Sequence, residues 1–171
     1  GSRGLGYQIC DDYLARMVRH LPSLGFELPD RQLACAYIAS PLGRDYLAAM
    51  ACAANYAWAN RQLLSHWTRE TFREILHQSP VQLGMRLLYD VCHNIAKIEE
   101  FPAGDGKVEL CVHRKGATRS LPAGHPAVPR PYAAVGQPVL IPGDMATGSY
   151  ILAGMPGALA ETFGSACHGA G

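Results

Sequence analysis

The sequence changes character after Phe101, and this change limits the folds that the chain can adopt. Before Phe101 it contains long stretches with apolar residues at helical spacing, whereas afterwards short apolar runs alternate with glycine and proline. Long amphipathic stretches predict helices, and short runs bounded by Gly and Pro predict strands and loops. We therefore expect an α+β fold, with a helical first half followed by a strand- and loop-rich second half.

Three helices are predicted in the first half. The first covers residues 8–21, where apolar side chains recur one turn apart and Pro22 follows the end. The second begins near Pro41 and extends to Trp67, with many alanines that allow close packing, and the third covers residues 68–76. The Gly-rich start of the chain, GSRGLG, is expected to form a loop.

Four strands are predicted from short apolar runs. The run GMRLLYDVCHN at 84–94 suits a buried strand, and VELCVH at 108–113, QPVLIP at 137–142 and SYILAG at 149–154 are bounded by turn residues. Residues 102–106 are typical of a hairpin turn rather than of a domain boundary.

Composition bounds the class of protein. A chain of 171 residues, 49% of them hydrophobic, can bury one core. With 15 Lys+Arg against 14 Asp+Glu there is no global basic field, so any contact with nucleic acid must be local. Arginine dominates the basic residues, which favours bidentate phosphate or carboxylate contacts, although a GC-rich genome explains the bias equally well.

The pattern of cysteines and the lack of a transmembrane-length apolar run indicate the cellular compartment of the protein. The six cysteines are scattered without a CxxC pair, and the sequence has no targeting signal and no apolar run of transmembrane length. We therefore expect a cytoplasmic protein without a membrane partner.

Histidines and basic residues concentrate in three segments. In CHNIAK at 92–97, His93 at a strand end suits Mn²⁺ or Zn²⁺, although a lone histidine is more often a satisfied buried side chain. In HRKGATR at 113–119, four basic residues around Gly116 suit a phosphate, but they are equally consistent with a solvated loop.

The third segment, CHGAG at 167–171, places His168 among small residues, where a substrate can reach its ring. A histidine can act as a covalent nucleophile, and the alternative is an incidental histidine in a flexible tail. A further loop, PGDMATGS at 142–149, suits a purine or ribose edge, but Pro-Gly-Asp is also ordinary turn chemistry.

Six segments in chain order resemble signature segments of the RtcB family, which are GTP- and Mn²⁺-dependent RNA ligases. They are GSRGLGYQ, YIASPLGRDYLAAMACAANYAWANRQ, DVCHNIAK, VHRKGATRSLPAGHP, VGQPVLIPGDMATGSYILAG and ETFGSACHGAG. The resemblance covers essentially the whole chain, and HRKGATR and HGAG are its most specific parts. It implies an RtcB-like fold and the joining of RNA 2′,3′-cyclic phosphate or 3′-phosphate ends to 5′-hydroxyl ends, in tRNA splicing or RNA repair.

The resemblance also implies roles for individual residues. The family nucleophile, which forms a covalent histidine–GMP intermediate with GTP, corresponds to His168; Lys115 and Arg3 correspond to catalytic phosphate contacts, and His93 to a ligand of one of two Mn²⁺ ions. RNA is the implied partner, with an archease-like protein as a possible activator. The implied nucleotide contacts are His93, Asn94, Pro142, Gly143, Asp144, Met145, Ser149, His168, Gly169, Ala170 and Gly171.

The chain departs from the family pattern in two ways. Asp144 stands where some members have Ser or Thr, and Ala146 replaces a common glycine. The remaining metal ligands of the family, an Asp, a Cys and two His, are expected before Gly1, so residues 1–171 are predicted to be a single partial catalytic domain, truncated at both ends and inactive alone. The alternative is a catalytically inactive nucleotide- or RNA-binding fragment.

Overall fold

The structure, a computed structural model, describes residues 2–25 and 27–167, without the side chains of Ser2 and Arg3. These residues form two compact units, one up to Arg86 and one from Leu87 onwards. The first unit is helical, and the second contains the strands. The predicted α+β class, with helices before strands, is confirmed.

The first unit begins with a π-helical turn, Ser2–Gly6, that leads directly into α1, Tyr7–Leu24. The prediction of a loop at the start of the chain is therefore wrong from Ser2 onwards. Glycine accepts helical dihedral angles as well as turn angles, and Gly6 has φ −64° and ψ −39°. Glycine content alone does not separate the two conformations.

Helix α1 confirms the predicted first helix but is longer than expected at its C-terminal end. Pro22 was predicted to lie beyond the helix, and it lies inside it, in the last turn. The helix ends at Gly25, whose left-handed φ of 75° provides the C-cap, and whose N–H donates to the Pro22 carbonyl at 3.4 Å. The C-cap glycine, rather than the proline, sets the end of α1.

Helix α2, Pro41–Leu76, follows a 3₁₀ turn at Arg31–Leu33. Ser40 is its N-cap and accepts a hydrogen bond from the Gly43 N–H at 3.0 Å. The second and third predicted helices are one continuous helix, because no Gly or Pro interrupts residues 44–76. At 36 residues, α2 is about 54 Å long.

Within its described residues, the second unit contains six strands and one short α-helix. Their bounds are β1 Asn94–Ala103, β2 Gly106–Lys115, β3 Ala117–Arg119, β4 Pro138–Ile141, β5 Tyr150–Ala153, α3 Pro156–Thr162 and β6 Ser165–Cys167. The strands form three two-stranded antiparallel sheets, which pair β1 with β2, β3 with β6, and β4 with β5. A 3₁₀ turn at Arg130–Tyr132 precedes β4.

Three of the four predicted strands are confirmed, within β2, β4 and β5. The hairpin predicted at residues 102–106 is also confirmed, because Ala103 pairs with Gly106 across a turn at 104–105. A short apolar run flanked by glycine was sufficient to predict these elements.

The strand predicted at 84–94 is wrong, since β1 begins only at Asn94 and residues 85–92 have no regular structure. This segment is fixed by side chains instead of a strand ladder. The Tyr132 hydroxyl donates to the Leu88 carbonyl, and Gln137 Nε2 donates to the Tyr89 hydroxyl at 2.7 Å. A short apolar run does not by itself show that its backbone pairs with another strand.

The core of the second unit combines apolar and polar side chains. Its buried apolar residues are Ala96, Phe101, Leu121, Val128 and Val139, and its buried polar residues are Arg114, Thr118, Ser120 and Gln137. Most buried polar groups have partners inside the protein, and among the described side chains Thr118 Oγ1 is buried without one. The arrangement of these partners determines how the candidate site is built.

Two observations concern the predicted compartment. All six cysteines lie in the described part of the chain, and none forms a disulfide. Within residues 2–25 and 27–167, no helix has both the length and the apolar character needed to cross a bilayer. The cytoplasmic location stays a prediction.

Candidate functional site

The β1–β2 hairpin separates the basic residues of HRKGATR onto two faces. Successive residues of a strand point to opposite sides, so His113 and Lys115 share one face and Arg114 takes the other. His113 and Lys115 are exposed, whereas Arg114 is buried. Lys115 pairs across the ladder with Asn94, which is also exposed. Two of the predicted functional segments, CHNIAK and HRKGATR, therefore meet at the end of this hairpin.

Arg114 forms its ion pair and hydrogen bonds with other groups of the protein. Its side chain is 2% exposed and forms a two-pronged ion pair with Glu99, with N···O distances of 2.8 and 2.7 Å. Nε donates to Ser165 Oγ at 2.9 Å, and Nη2 donates to the Phe163 carbonyl at 2.9 Å. The expectation that four cations of this segment approach one phosphate is wrong for Arg114, because burial and these partners fix it inside the unit.

Arg119 is also held by protein groups. It donates to Gln137 Oε1 at 3.2 Å and to the Ala127 carbonyl at 3.3 Å, and it lies 3.9 Å from Glu99 Oε1. Lys97 lies near this cluster, and burial followed by repulsion from Arg119 lowers its pKa below the ordinary value. One carboxylate, Glu99, thus faces several cations on the inner side of the hairpin.

Gly116 connects β2 to β3, and its backbone N–H and carbonyl form hydrogen bonds with residues of the two other predicted segments. Its φ of +63° lies in the left-handed region, which glycine adopts without steric cost. Its N–H donates to Asn94 Oδ1 at 3.0 Å, and its carbonyl accepts a weak hydrogen bond from Cys167 Sγ at 3.5 Å. This turn is the point at which residues of CHNIAK, HRKGATR and CHGAG meet.

The β3–β6 ladder explains why Cys167 reaches the turn. Ala117 pairs with Cys167, and Thr118 pairs with Ala166. His168 follows Cys167 directly in the sequence. His168, Gly169, Ala170 and Gly171 lie outside the described residues, so their predicted roles stay predictions.

His93 immediately precedes the first residue of β1 and is exposed. It was predicted at the end of a strand, and it lies before the start of one. The described residues contain no group of three or more His, Cys, Asp or Glu side chains suited to a metal ion. A Mn²⁺ site needs several such ligands, and the role of His93 as one of them stays a prediction.

The loop between β4 and β5 contains the residues predicted to hold guanine. Asp144 Oδ1 accepts hydrogen bonds from the Ala146 N–H at 2.7 Å, the Thr147 N–H at 2.8 Å and Thr147 Oγ1 at 3.0 Å. The backbone donors of Ala146 and Thr147 hold the pKa of the Asp144 carboxyl below its usual value. Asp144 therefore shapes the loop through one carboxylate oxygen.

The start of the same loop is equally constrained. The Gly143 N–H donates to Ser149 Oγ at 2.9 Å, and a Cβ at Gly143 would overlap the Thr147 carbonyl. The side chain of Met145 is fully exposed. The loop between Pro142 and Ser149 is thus folded on itself and presents Met145 outward, which suits an apolar contact with the face of a planar ring.

Arg3 belongs to the π-helical turn of the first unit, and its side chain lies outside the described residues. Its role in catalysis stays a prediction. The residues that sequence reasoning missed are Glu99 and Ser165, the partners of Arg114. Alternation along the predicted strand at 108–113, continued to residue 114, separates Arg114 from His113, but it does not identify these two partners.

Comparisons with known proteins place the whole chain in one family. A family model described as tRNA-splicing ligase RtcB matches residues 1–171. A tRNA-splicing ligase RtcB of Archaeoglobus fulgidus is 58% identical over 171 residues, which are 100% of this chain and 36% of the relative. Proteins of the same name from Pyrococcus furiosus and Methanocaldococcus jannaschii are each 56% identical over 100% of this chain and 18% of their own length. The chain thus spans about a third or less of these relatives.

Proposed function

This chain belongs to the RtcB family of tRNA-splicing ligases, and from that premise we propose that the protein containing it is a GTP- and Mn²⁺-dependent RNA ligase. It joins an RNA 2′,3′-cyclic phosphate or 3′-phosphate end to a 5′-hydroxyl end. The observation that carries the proposal is the convergence of Asn94, Gly116 and Cys167, which brings three family segments to one turn. A convergence of exposed polar groups at strand ends is typical of a site for chemistry.

In the proposed reaction, His168 attacks the α-phosphate of GTP. A P–N bond forms, pyrophosphate leaves, and the product is a covalent histidine–GMP adduct. GMP then passes to the RNA 3′-phosphate, which hydrolysis generates first when the end is cyclic. The 5′-hydroxyl of the second RNA end attacks that phosphate and displaces GMP, which leaves a 3′,5′-phosphodiester.

The residues around Gly116 suit this chemistry. Lys115 is exposed and pairs with Asn94 across the ladder, so an ammonium and an amide donor lie together where a phosphate can approach. The engaged Oδ1 of Asn94 leaves its N–H donors for an acceptor such as a phosphate oxygen. RNA is the proposed partner of this face, and an archease-like activator is proposed only on the resemblance to the family.

The nucleotide base is assigned to the loop 142–149, whose internal hydrogen bonds fix its shape before binding. A preformed loop loses less conformational entropy when a ligand binds. Mn²⁺ would neutralise the triphosphate and act as a Lewis acid, with His93 as one ligand. Its further ligands would lie in parts of the protein outside this chain.

An alternative function is binding without catalysis. The described residues contain no complete metal-ligand cluster, as this function requires, although the ligase accounts for the same observation through ligands outside this chain. A binding protein would retain affinity for GTP or RNA and would form no covalent adduct. The two functions therefore differ in one measurable product.

The experiment uses the protein that contains this chain, with GTP and MnCl₂, and intact-mass spectrometry. We expect a mass increase of one GMP in the wild type and in His66→Ala, a matched variant of an exposed histidine on α2. We expect none in His168→Ala. A folded wild type that binds GTP but gains no GMP would contradict the ligase and support the binding function.

A further inference from the structure

One buried side chain contacts both ends of the turn from α3 into β6. α3 ends at Thr162, and the next three residues, 163–165, turn the chain into β6. Arg114 donates to the Phe163 carbonyl and to Ser165 Oγ, both at 2.9 Å, and so contacts each end of this turn. The contacts join positions 49 and 51 residues apart in the sequence.

Glu99 fixes the guanidinium that makes these contacts. Its two oxygens accept from Nη1 and Nη2 of Arg114, and its side chain is only 13% exposed. A two-pronged ion pair of this kind fixes the plane of the guanidinium as well as its position. The remaining donors of Arg114 are therefore aimed at Phe163 and Ser165 before any ligand binds.

The turn needs such support because its own backbone is unfavourable. Phe163 has a φ of +51°, in a region that large side chains rarely adopt. Its ring packs edge-on against Phe101 at 5.3 Å between centroids. The Ser120 N–H donates to the Gly164 carbonyl at 2.6 Å, so the turn is tied to the chain after β3 as well.

β6 itself is too short to fix its own position. It has three residues, Ser165–Cys167, and its partner β3 also has three. Two-stranded pairs of this size are marginal without further packing. The position of Cys167, and of the point at which the chain continues to His168, thus depends on the contacts that hold the turn at 163–165.

We propose that Arg114 is a positioning residue for the nucleophile: fixed by Glu99, its guanidinium holds Ser165 and thereby the strand that leads into His168. This inference rests on the proposed function, because it concerns the rate at which His168 reacts. In this role Arg114 contacts neither the substrate nor the reacting atoms. It acts through Ser165 and β6.

The most selective variant is Ser165→Ala, which leaves the Glu99–Arg114 pair intact and removes the acceptor of Arg114 Nε. Ser165→Thr is the matched control, since it retains the hydroxyl and suits a strand. Both are made in the protein that contains this chain. Three quantities are measured with GTP and MnCl₂ well below the melting temperature: the rate of GMP adduct formation, the KM for GTP, and hydrogen exchange at Ala166 and Cys167.

For Ser165→Ala we expect the adduct to form about tenfold more slowly at saturating GTP, with an unchanged KM. Exchange at Ala166 and Cys167 should rise by about the same factor, and Ser165→Thr should restore both values to within about twofold of the wild type. A change in KM alone would not fit this role, because Ser165 is placed to act on the nucleophile rather than on nucleotide binding.

Two results would overturn the inference while the proposed function stands: a wild-type rate in Ser165→Ala, or faster exchange in β6 without a slower reaction. Absence of an adduct in the folded wild type would overturn the proposed function, and the inference with it. The wild-type measurement therefore separates the failure of one from the failure of the other.

Discussion

The backbone N–H of Gly116 donates a hydrogen bond of 3.0 Å to Oδ1 of Asn94, 22 residues earlier in the chain. This bond closes the end of the β1–β2 hairpin at the point where β3 begins. Asn94 thus has two tasks. Its oxygen shapes the turn, and its nitrogen is left to donate to a ligand.

Replacing Asn94 by Asp and by Ala separates these two tasks. Asn94→Asp retains the acceptor for Gly116 but exchanges the donors for a negative charge, which repels phosphate. Asn94→Ala loses both. We expect both variants to weaken GTP binding by about tenfold, and only Asn94→Ala to accelerate hydrogen exchange at Gly116. Calorimetry and exchange measure the two effects, and equal protection of Gly116 in both variants would contradict the assignment.

Gly116→Ala tests the left-handed turn directly. Nothing lies within 4 Å of a Cβ at this position, so the cost comes from φ +63° and not from a clash. We expect the free energy of unfolding to fall by about 1–2 kcal/mol, and by less in Gly116→Asn, because Asn tolerates this region better. Gly157→Ala, in the first turn of α3, is the control and should be neutral or slightly stabilising. Chemical denaturation measures all three, and equal losses in Gly116→Ala and Gly116→Asn would exclude the backbone explanation.

Two ion pairs link β1 to β2 and should differ widely in their effect on stability. Glu99–Arg114 is almost fully buried, whereas Glu100–Lys107 has side chains that are 63% and 73% exposed. Removing one member of a buried pair leaves a buried charge without its partner, so Glu99→Ala should lower the free energy of unfolding by about 3–5 kcal/mol. Glu100→Ala should change it by less than about 1 kcal/mol.

A double variant tests the same explanation. Glu99→Leu with Arg114→Met removes both charges, and we expect it to unfold less readily than either single variant, since neither member of this buried pair is left without the other. Denaturant titration of the four proteins gives the coupling energy. Additive losses would show that the pair does not act as a unit.

Elements were predicted correctly where a short apolar run and its flanking turn residues indicate the same structure. The hairpin at 102–106 has glycine at a turn between two apolar runs, and the strands in β4 and β5 are short and bounded by turn residues. The strand at 84–94 failed because strand formation depends on a partner, and the segment instead receives side-chain hydrogen bonds at Leu88 and Tyr89. Local sequence contains no information on distant hydroxyl and amide groups.

The segments that form the candidate site were predictable from the sequence, but the contacts between their side chains were not. Composition located HRKGATR, but only the strand register shows that Lys115 is exposed while Arg114 is buried against Glu99. Likewise, Asp144 was predicted as a guanine contact, and its bonds to Ala146 and Thr147 depend on the folded turn. Partners that lie far apart in the chain, such as Arg114 and Ser165, have no local signature.

The loop containing Asp144 should lose its shape in acid over a defined range of pH. Its backbone hydrogen bonds hold the pKa of the carboxyl below the ordinary value of 3.8, so ionised Asp144 favours the folded loop above that pH. The contribution disappears as the pH falls through the lowered pKa, because protonation weakens the acceptor of the Ala146 and Thr147 amides. NMR shifts of these two amides should therefore titrate with a midpoint below 3.8. Asp144→Asn retains Oδ1 but cannot ionise, so its amides should not titrate in this range, and a wild-type midpoint at or above 3.8 would show that the hydrogen bonds do not stabilise the carboxylate.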